Sequence, residues 1–211
     1  MKIRLDPRGV AVALLLWVSA AQAASAFGLN ELMVLLAQRR SGEASFVEQR
    51  FVKGLDQPLR SSGTLSFSAP DRFTRSTLEP RAESVSVEGN NVIMKRGGRS
   101  RSLTLDAVPE AAAIVEAIRG TLTGNAAALQ RYFRPEMGGS PEQWVLDLTP
   151  LDVALYNQVR IVRIMGRRSD ALSVEVQLAD GDRSVMAIEP LVARAAVAGK
   201  PEPVARAAST P

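Results

Sequence analysis

In the stretch SSGTLSFSAPDRF (61–73), Leu65, Phe67 and Ala69 fall on one side of an extended chain and Thr64, Ser66 and Ser68 on the other. A period of two is the mark of a strand with one apolar and one wet face. The same period recurs along the chain. ASFVEQRFV (44–52) sets Val47, Gln49 and Phe51 against Phe46, Glu48 and Arg50, and ESVSVE (83–88) aligns Val85 with Val87. RSLTLD (101–106) aligns Leu103 with Leu105, and QWVLDLTP (143–150) aligns Trp144, Leu146 and Leu148. ALSVEVQLAD (171–180) aligns Leu172, Val174, Val176 and Leu178. RFTRSTL (72–78), NVIMKR (91–96), NQVRIVRIMG (157–166) and RSVMAIEP (183–190) read as further strands. Turns such as GNN, GG and the DG at 180–181 join several of them, while GLDQPLRSSG (54–63) reads as a loop and Pro70 as a corner. Connections this short imply antiparallel pairing. A sheet of this kind must cover its apolar face by curling, with a second sheet, or with helices.

Helices are few. LNELMVLLAQRR (29–40) spaces Leu29, Leu32, Met33 and Leu36 for one, which Ser41-Gly42 stops. VPEAAAIVEAIRGTLTG (108–124) carries Ile114, Val115, Ile118 and Leu122 along a stripe behind Pro109. NAAALQRYFRP follows, with Asn125 as its N-cap, Leu129, Tyr132 and Phe133 on one face, and a stop before Pro135. Three helices for so many strands fit an α+β fold: a strongly curved antiparallel sheet, open like a half-barrel, with an N-terminal helix and a mid-chain helical lid.

The ends of the chain read differently. MKIRLDPR is a basic start, GVAVALLLWVSA an apolar run, and the small residues ending at Ala23 or Ala26 a cleavage site, which together make a secretory signal peptide over 1–23. The expected domain spans 27–190, and the Ala/Pro-rich 191–211 reads as a disordered tail. With no Cys, neither a lipid anchor at the cleavage site nor a disulfide is expected. Without His or Cys the commonest zinc ligands and nucleophilic dyads are also absent. Of the net charge of +4, the leader contributes +2 (Lys2, Arg4 and Arg8 against Asp6), so the mature chain is only weakly basic. The tip KRGGRSR reads as a solvated turn rather than a nucleic-acid surface, because stacking aromatics are sparse there. Glu48, Glu83, Glu88, Asp147, Glu175 and Asp182 fall on polar faces and in turns, unpaired, which argues against glycosidase chemistry. Neither an enzyme nor a metal or other cofactor is expected.

The order of these elements resembles the periplasmic outer-membrane lipoprotein carrier family, LolA. The resemblance covers about residues 28–189 and rests on ASFVEQRF, on the strand–Pro–x–x–Phe segment with Gly63, Pro70 and Phe73, on the hairpin through VEGNNV, on the mid-chain helices and on the closing ADGDRSVMAI. It implies a half-barrel whose helical lid, about 109–134, encloses an apolar cavity. The family places an arginine just before the proline to fasten the lid; here that position is Ala69, so the lid is either looser or held by another residue such as Arg72 or Arg75. Thr74-Arg75 also replaces the usual aromatic, which marks a divergent branch.

The expected function is that of a periplasmic carrier or chaperone. It would shield acyl chains of a lipoprotein or another amphiphilic lipid on the way to the outer membrane, as a monomer, between an inner-membrane donor complex and an outer-membrane acceptor. The alternative is a periplasmic regulator that senses lipid or protein for an envelope stress response. The residues expected to line the cavity are Phe46, Phe51, Leu65, Phe67, Phe73, Val85, Val87, Leu103, Leu105, Ile114, Ile118, Leu122, Trp144, Leu146, Val174 and Val176. For each of them alone, packing in a plain core is the commoner role.

Overall fold

A computed structural model describes residues 27–107 and 109–191. The expected signal peptide over 1–23 and the expected tail beyond Leu191 lie outside the described residues. The chain opens with helix α1 (Leu29–Ala37) and six strands: β1 (Ser41–Phe51), β2 (Leu59–Ser68), β3 (Arg72–Glu79), β4 (Glu83–Glu88), β5 (Asn91–Arg96) and β6 (Arg99–Thr104). A turn of 3-10 helix at Leu105–Ala107 leads to helices α2 (Pro109–Thr123) and α3 (Ala126–Tyr132). Strands β7 (Phe133–Ser140) and β8 (Gln143–Pro150), a short helix α4 (Val153–Tyr156), and strands β9 (Val159–Arg167), β10 (Asp170–Leu178) and β11 (Arg183–Pro190) complete it.

All eleven strands form one antiparallel sheet in the order β6-β5-β4-β3-β2-β1-β11-β10-β9-β8-β7. The sheet is open, with β6 and β7 as its edges. Laid flat, eleven strands at a spacing of about 4.8 Å would span roughly 50 Å. Helix α2, whose 15 residues make it about 22 Å long, nevertheless borders β4 through Val115 and β9 through Ala117. The sheet therefore wraps around it.

The core divides into two parts. The larger packs α1 (Leu32, Met33, Leu36), α3 (Leu129) and two α2 alanines (Ala113, Ala117) onto Phe133, Trp144, Leu146, Leu148, Val162 and Ile164. The smaller joins Val87, Val92 and Leu105 at the other flank. Gly124 ends α2 in the left-handed region (φ +66°), and a Cβ there would lie 2.1 Å from the Met33 carbonyl oxygen. This glycine lets the α2–α3 turn close onto α1. Asn125 caps α3, its side chain accepting from the Ala128 amide at 3.1 Å.

Several expectations need correction. The loop expected over 54–63 gives way at Leu59 to strand, because Leu59 to Ser62 pair with Arg50 to Val47. Leu105 leaves the sheet for the 3-10 turn. FRPEMGGS is a strand rather than the end of a helix: Pro135 sits on an edge strand, where its missing N–H costs no ladder bond. In β10 a bulge between Ala171 and Ser173 turns Leu172 out to solvent, 36% exposed, and puts Ala171 on the inner face with Val174 and Val176.

Candidate functional site

The register carries inward-facing side chains across the sheet in rungs. One runs Leu146, Ile164, Val174, Met186, Glu48, Ser61. Another runs Met94, Val85, Arg75, Leu65, Ala44, Pro190. Gly63 explains why a glycine is needed at its place in β2. The strand bulges there against β3, and a Cβ would meet the Ser76 carbonyl oxygen at 1.9 Å.

Over the middle of these rungs lies α2, which presents Ile114, Ala117, Ile118, Thr121 and Leu122 at helical spacing. Between helix and sheet is a cavity of about 270 Å³, bordered by six adjacent strands from β3 through β2, β1, β11 and β10 to β9. Its walls are Leu65, Phe73, Val162, Ile164, Ala171, Val174, Val176, Met186 and Ile188, with Glu48 and Arg75 as the charged groups. A second hollow of about 210 Å³ shares Phe73, Arg75, Ile118 and Leu122 with it and adds Phe67, Val85, Val87 and Val115. Each is somewhat smaller than the usual small-ligand site of about 300–1,000 Å³. A wider depression of about 770 Å³ lies at the end of β3–β5, but Ser, Thr, Arg, Lys and Gly supply most of its lining.

Ten of the sixteen expected lining residues border one or both hollows: Leu65, Phe67, Phe73, Val85, Val87, Ile114, Ile118, Leu122, Val174 and Val176. The other six are elsewhere. Trp144 and Leu146 are fully buried in the larger core, where α1 and α3 leave no space above them, and Trp144 Nε1 donates to the Arg168 carbonyl at 2.9 Å. Leu103 and Leu105 belong to the smaller core. Phe46 is 2% exposed beneath the Arg75 guanidinium, 4.7 Å from its ring centre. Phe51, two turns of the alternation from exposed Val47, lies on the outer face under Arg183.

Sequence reasoning missed the polar heart of the site. Glu48, expected on a wet face, shares its inward parity with Phe46. It accepts hydrogen bonds from Arg75, from Ser184 and, at 3.1 Å, from Ser61. Burial pushes its carboxyl up, but the Ser184 hydrogen bond and the Arg75 charge outweigh that and hold it below its ordinary 4.5. The signal was available: a strand with Phe46 inward must also carry Glu48 inward.

The fastening of α2 is visible as well. Arg119 Nη2 donates to the Gly89 carbonyl at 2.7 Å, while its Nη1 pairs with Glu116. A lid arginine thus grips the β4–β5 turn. Arg72 and Arg75 instead pair with Glu88 and Glu48 on the sheet.

Residues 20–209 match the family described as Outer membrane lipoprotein carrier protein LolA-like. Among solved structures, a LolA superfamily protein from Nitrosomonas europaea aligns with a TM-score of 0.43 at 10% identity, over 77% of this chain and 91% of that one. A putative outer membrane lipoprotein-sorting protein domain from Vibrio parahaemolyticus aligns at 0.40 and 9% identity, over 79% and 93%. The MucA/MucB complex of Pseudomonas aeruginosa aligns at 0.42 and 14% identity, over 76% of this chain and 55% of that one. A comparison with curated proteins finds no match.

Proposed function

Because the chain belongs to the outer membrane lipoprotein carrier protein LolA-like family, we propose that it is a non-enzymatic carrier that shelters acyl chains in the cavity under α2. The observation that carries this reading is the apolar hollow itself, walled by six strands and one helix. Moving a chain of about sixteen carbons out of water is worth on the order of 10 kcal/mol before ordering costs, at about 0.8 kcal/mol per CH₂. A compartment lined by Leu, Ile, Val and Phe supplies that gain, and α2, which meets the larger core mainly through the small side chains of Ala113 and Ala117, can move to admit the guest.

The basic start and apolar run of the first 23 residues support export, and with the family they support a periplasmic site of action. The cargo is then a lipoprotein or another acylated amphiphile, received from a donor at the inner membrane and handed towards the outer membrane. Phe67 borders the second hollow and is only half-buried, so Phe67→Glu leaves the fold intact while placing a charge at the guest's entrance. Titration with a fluorescent fatty acid should show at least a tenfold weaker uptake, the equivalent of about 1.4 kcal/mol. Unchanged uptake would remove Phe67 from the path. Protein isolated from the periplasm with a partner protein bound and no lipid would instead favour the regulatory role.

A further inference from the structure

Of the two charged groups in the hollow, Glu48 and Arg75, the arginine is left incompletely bonded. Arg75 borders both hollows, between Leu65 and Val85 on its rung. Its Nη2 is used by Glu48 and Ser61, yet its Nε is buried and, among the described residues, has no hydrogen-bond partner. A buried N–H without an acceptor is uncommon and asks for one. The surrounding charges say which kind. Each guanidinium bordering the second hollow already has a carboxylate: Arg75 has Glu48, Arg72 has Glu88 and Arg119 has Glu116, with Asp71 beside them. Among the described residues bordering it, no positive charge is left over to receive an anion.

We propose that Arg75 is the polar anchor of the hollow, and that it reads the neutral ester or amide carbonyl at the head of an acyl chain rather than a free carboxylate. This rests on the carrier reading and narrows its cargo to chains carried as esters or amides. Nε is closed off from water in this conformation, so the carbonyl reaches it as the entering chain parts α2 from the strands. The remainder of the head group stays at the mouth, beside Arg72 and Asp71.

The test uses the mature chain and three probes: monopalmitoylglycerol, the hexadecyl ether of glycerol, which differs by lacking the carbonyl, and palmitate. Each displaces a fluorescent acyl probe at neutral pH. The ester should bind about tenfold tighter than the ether, as expected for one hydrogen bond from a charged donor, and palmitate weaker than the ester. Arg75→Lys keeps a cation for Glu48 but loses the Nε donor, and should bring ester and ether to equal affinity. The ¹⁵N signal of Arg75 Nε in the wild-type chain should shift with the ester and not with the ether, which decides the matter even if the variant folds poorly. Equal binding of ester and ether, a preference that survives Arg75→Lys, or palmitate as the best competitor would overturn the role of Arg75 and leave the hydrocarbon shelter standing. If none of the three displaces the probe, the carrier reading falls with it.

Discussion

Strands β7 and β8 and strands β1–β3 belong to one sheet and show the same alternation of apolar and polar residues, yet their inner faces end in opposite states. On β8, Trp144, Leu146 and Leu148 have no exposed surface, because α1 and α3 press onto them. On β2 and β3, Leu65, Phe67 and Phe73 face a hollow that α2 spans alone. A strand's sequence decides that a face is apolar. Whether that face is packed or left open depends on how many helices lie above it.

Truncation should separate the two regions most strongly. Leu146→Ala opens a void in a filled core and should cost about 2–5 kcal/mol. Leu65→Ala merely enlarges a space already present, so less than half of that is expected. Urea denaturation of both variants gives the two values, and equal costs would mean that the middle of the sheet is packed as tightly as its flank.

Enlargement gives the reverse contrast at a smaller scale. Leu148→Phe overfills the flank and should destabilise by about 1–3 kcal/mol. Val174→Phe, pointing into the cavity, should leave stability nearly unchanged while weakening uptake of a fluorescent acyl probe. Thermal melts together with a binding titration check both halves, and a Val174→Phe chain that melts early would deny the free space.

The contrast also marks how far the sequence could be read. Strands β4, β5, β8 and β11 are legible to the residue from alternation and turns, because each is bounded by local punctuation. Strand β7 was hidden by Pro135, which stops a helix and decorates a sheet edge equally well. The exchange of Leu172 for Ala171 was illegible, since a bulge is set by the partner strand. The site suffered in the same way. Parity correctly turned Leu65, Phe73 and Val174 inward, but it turned Trp144 and Leu146 inward as well, and only non-local helix packing distinguishes lining from core. Glu48 is legible by parity, although its charge by itself suggests a place in water.

A further difference lies in how the cover is held. Over the flank, α1 and α3 are secured by large buried side chains, whereas α2, among the described residues, sends only Ala113 and Ala117 into that core and adds the Arg119 hydrogen bond to the Gly89 carbonyl at the β4–β5 turn. Arg119→Ala should cost about 1 kcal/mol of global stability, a charged hydrogen bond discounted for partial exposure. It should speed hydrogen exchange in α2 while leaving β8 amides as slow as before. Equal acceleration in both would show that α2 opens only with the whole fold.

Finally, the two regions should respond differently to acid, because the hollow's inner face holds a charge pair and the rung through Leu146, Ile164 and Val174 is apolar until it reaches Glu48. Glu48 has a folded-state pKa below its ordinary 4.5: burial raises it, but the Ser184 hydrogen bond and Arg75 lower it further. A depressed carboxyl contributes stability that is complete above the unfolded value and lost as pH falls through the folded one. The stability gap between wild type and Glu48→Gln should therefore be constant from neutral pH down to about 5, then close as the solution is acidified further. The Leu146→Ala gap, being a matter of packing, should stay level across the same range. Denaturation curves at successive pH values distinguish the two, and a Glu48→Gln gap that stayed flat into acid would mean that the carboxyl gains nothing from its partners in the fold.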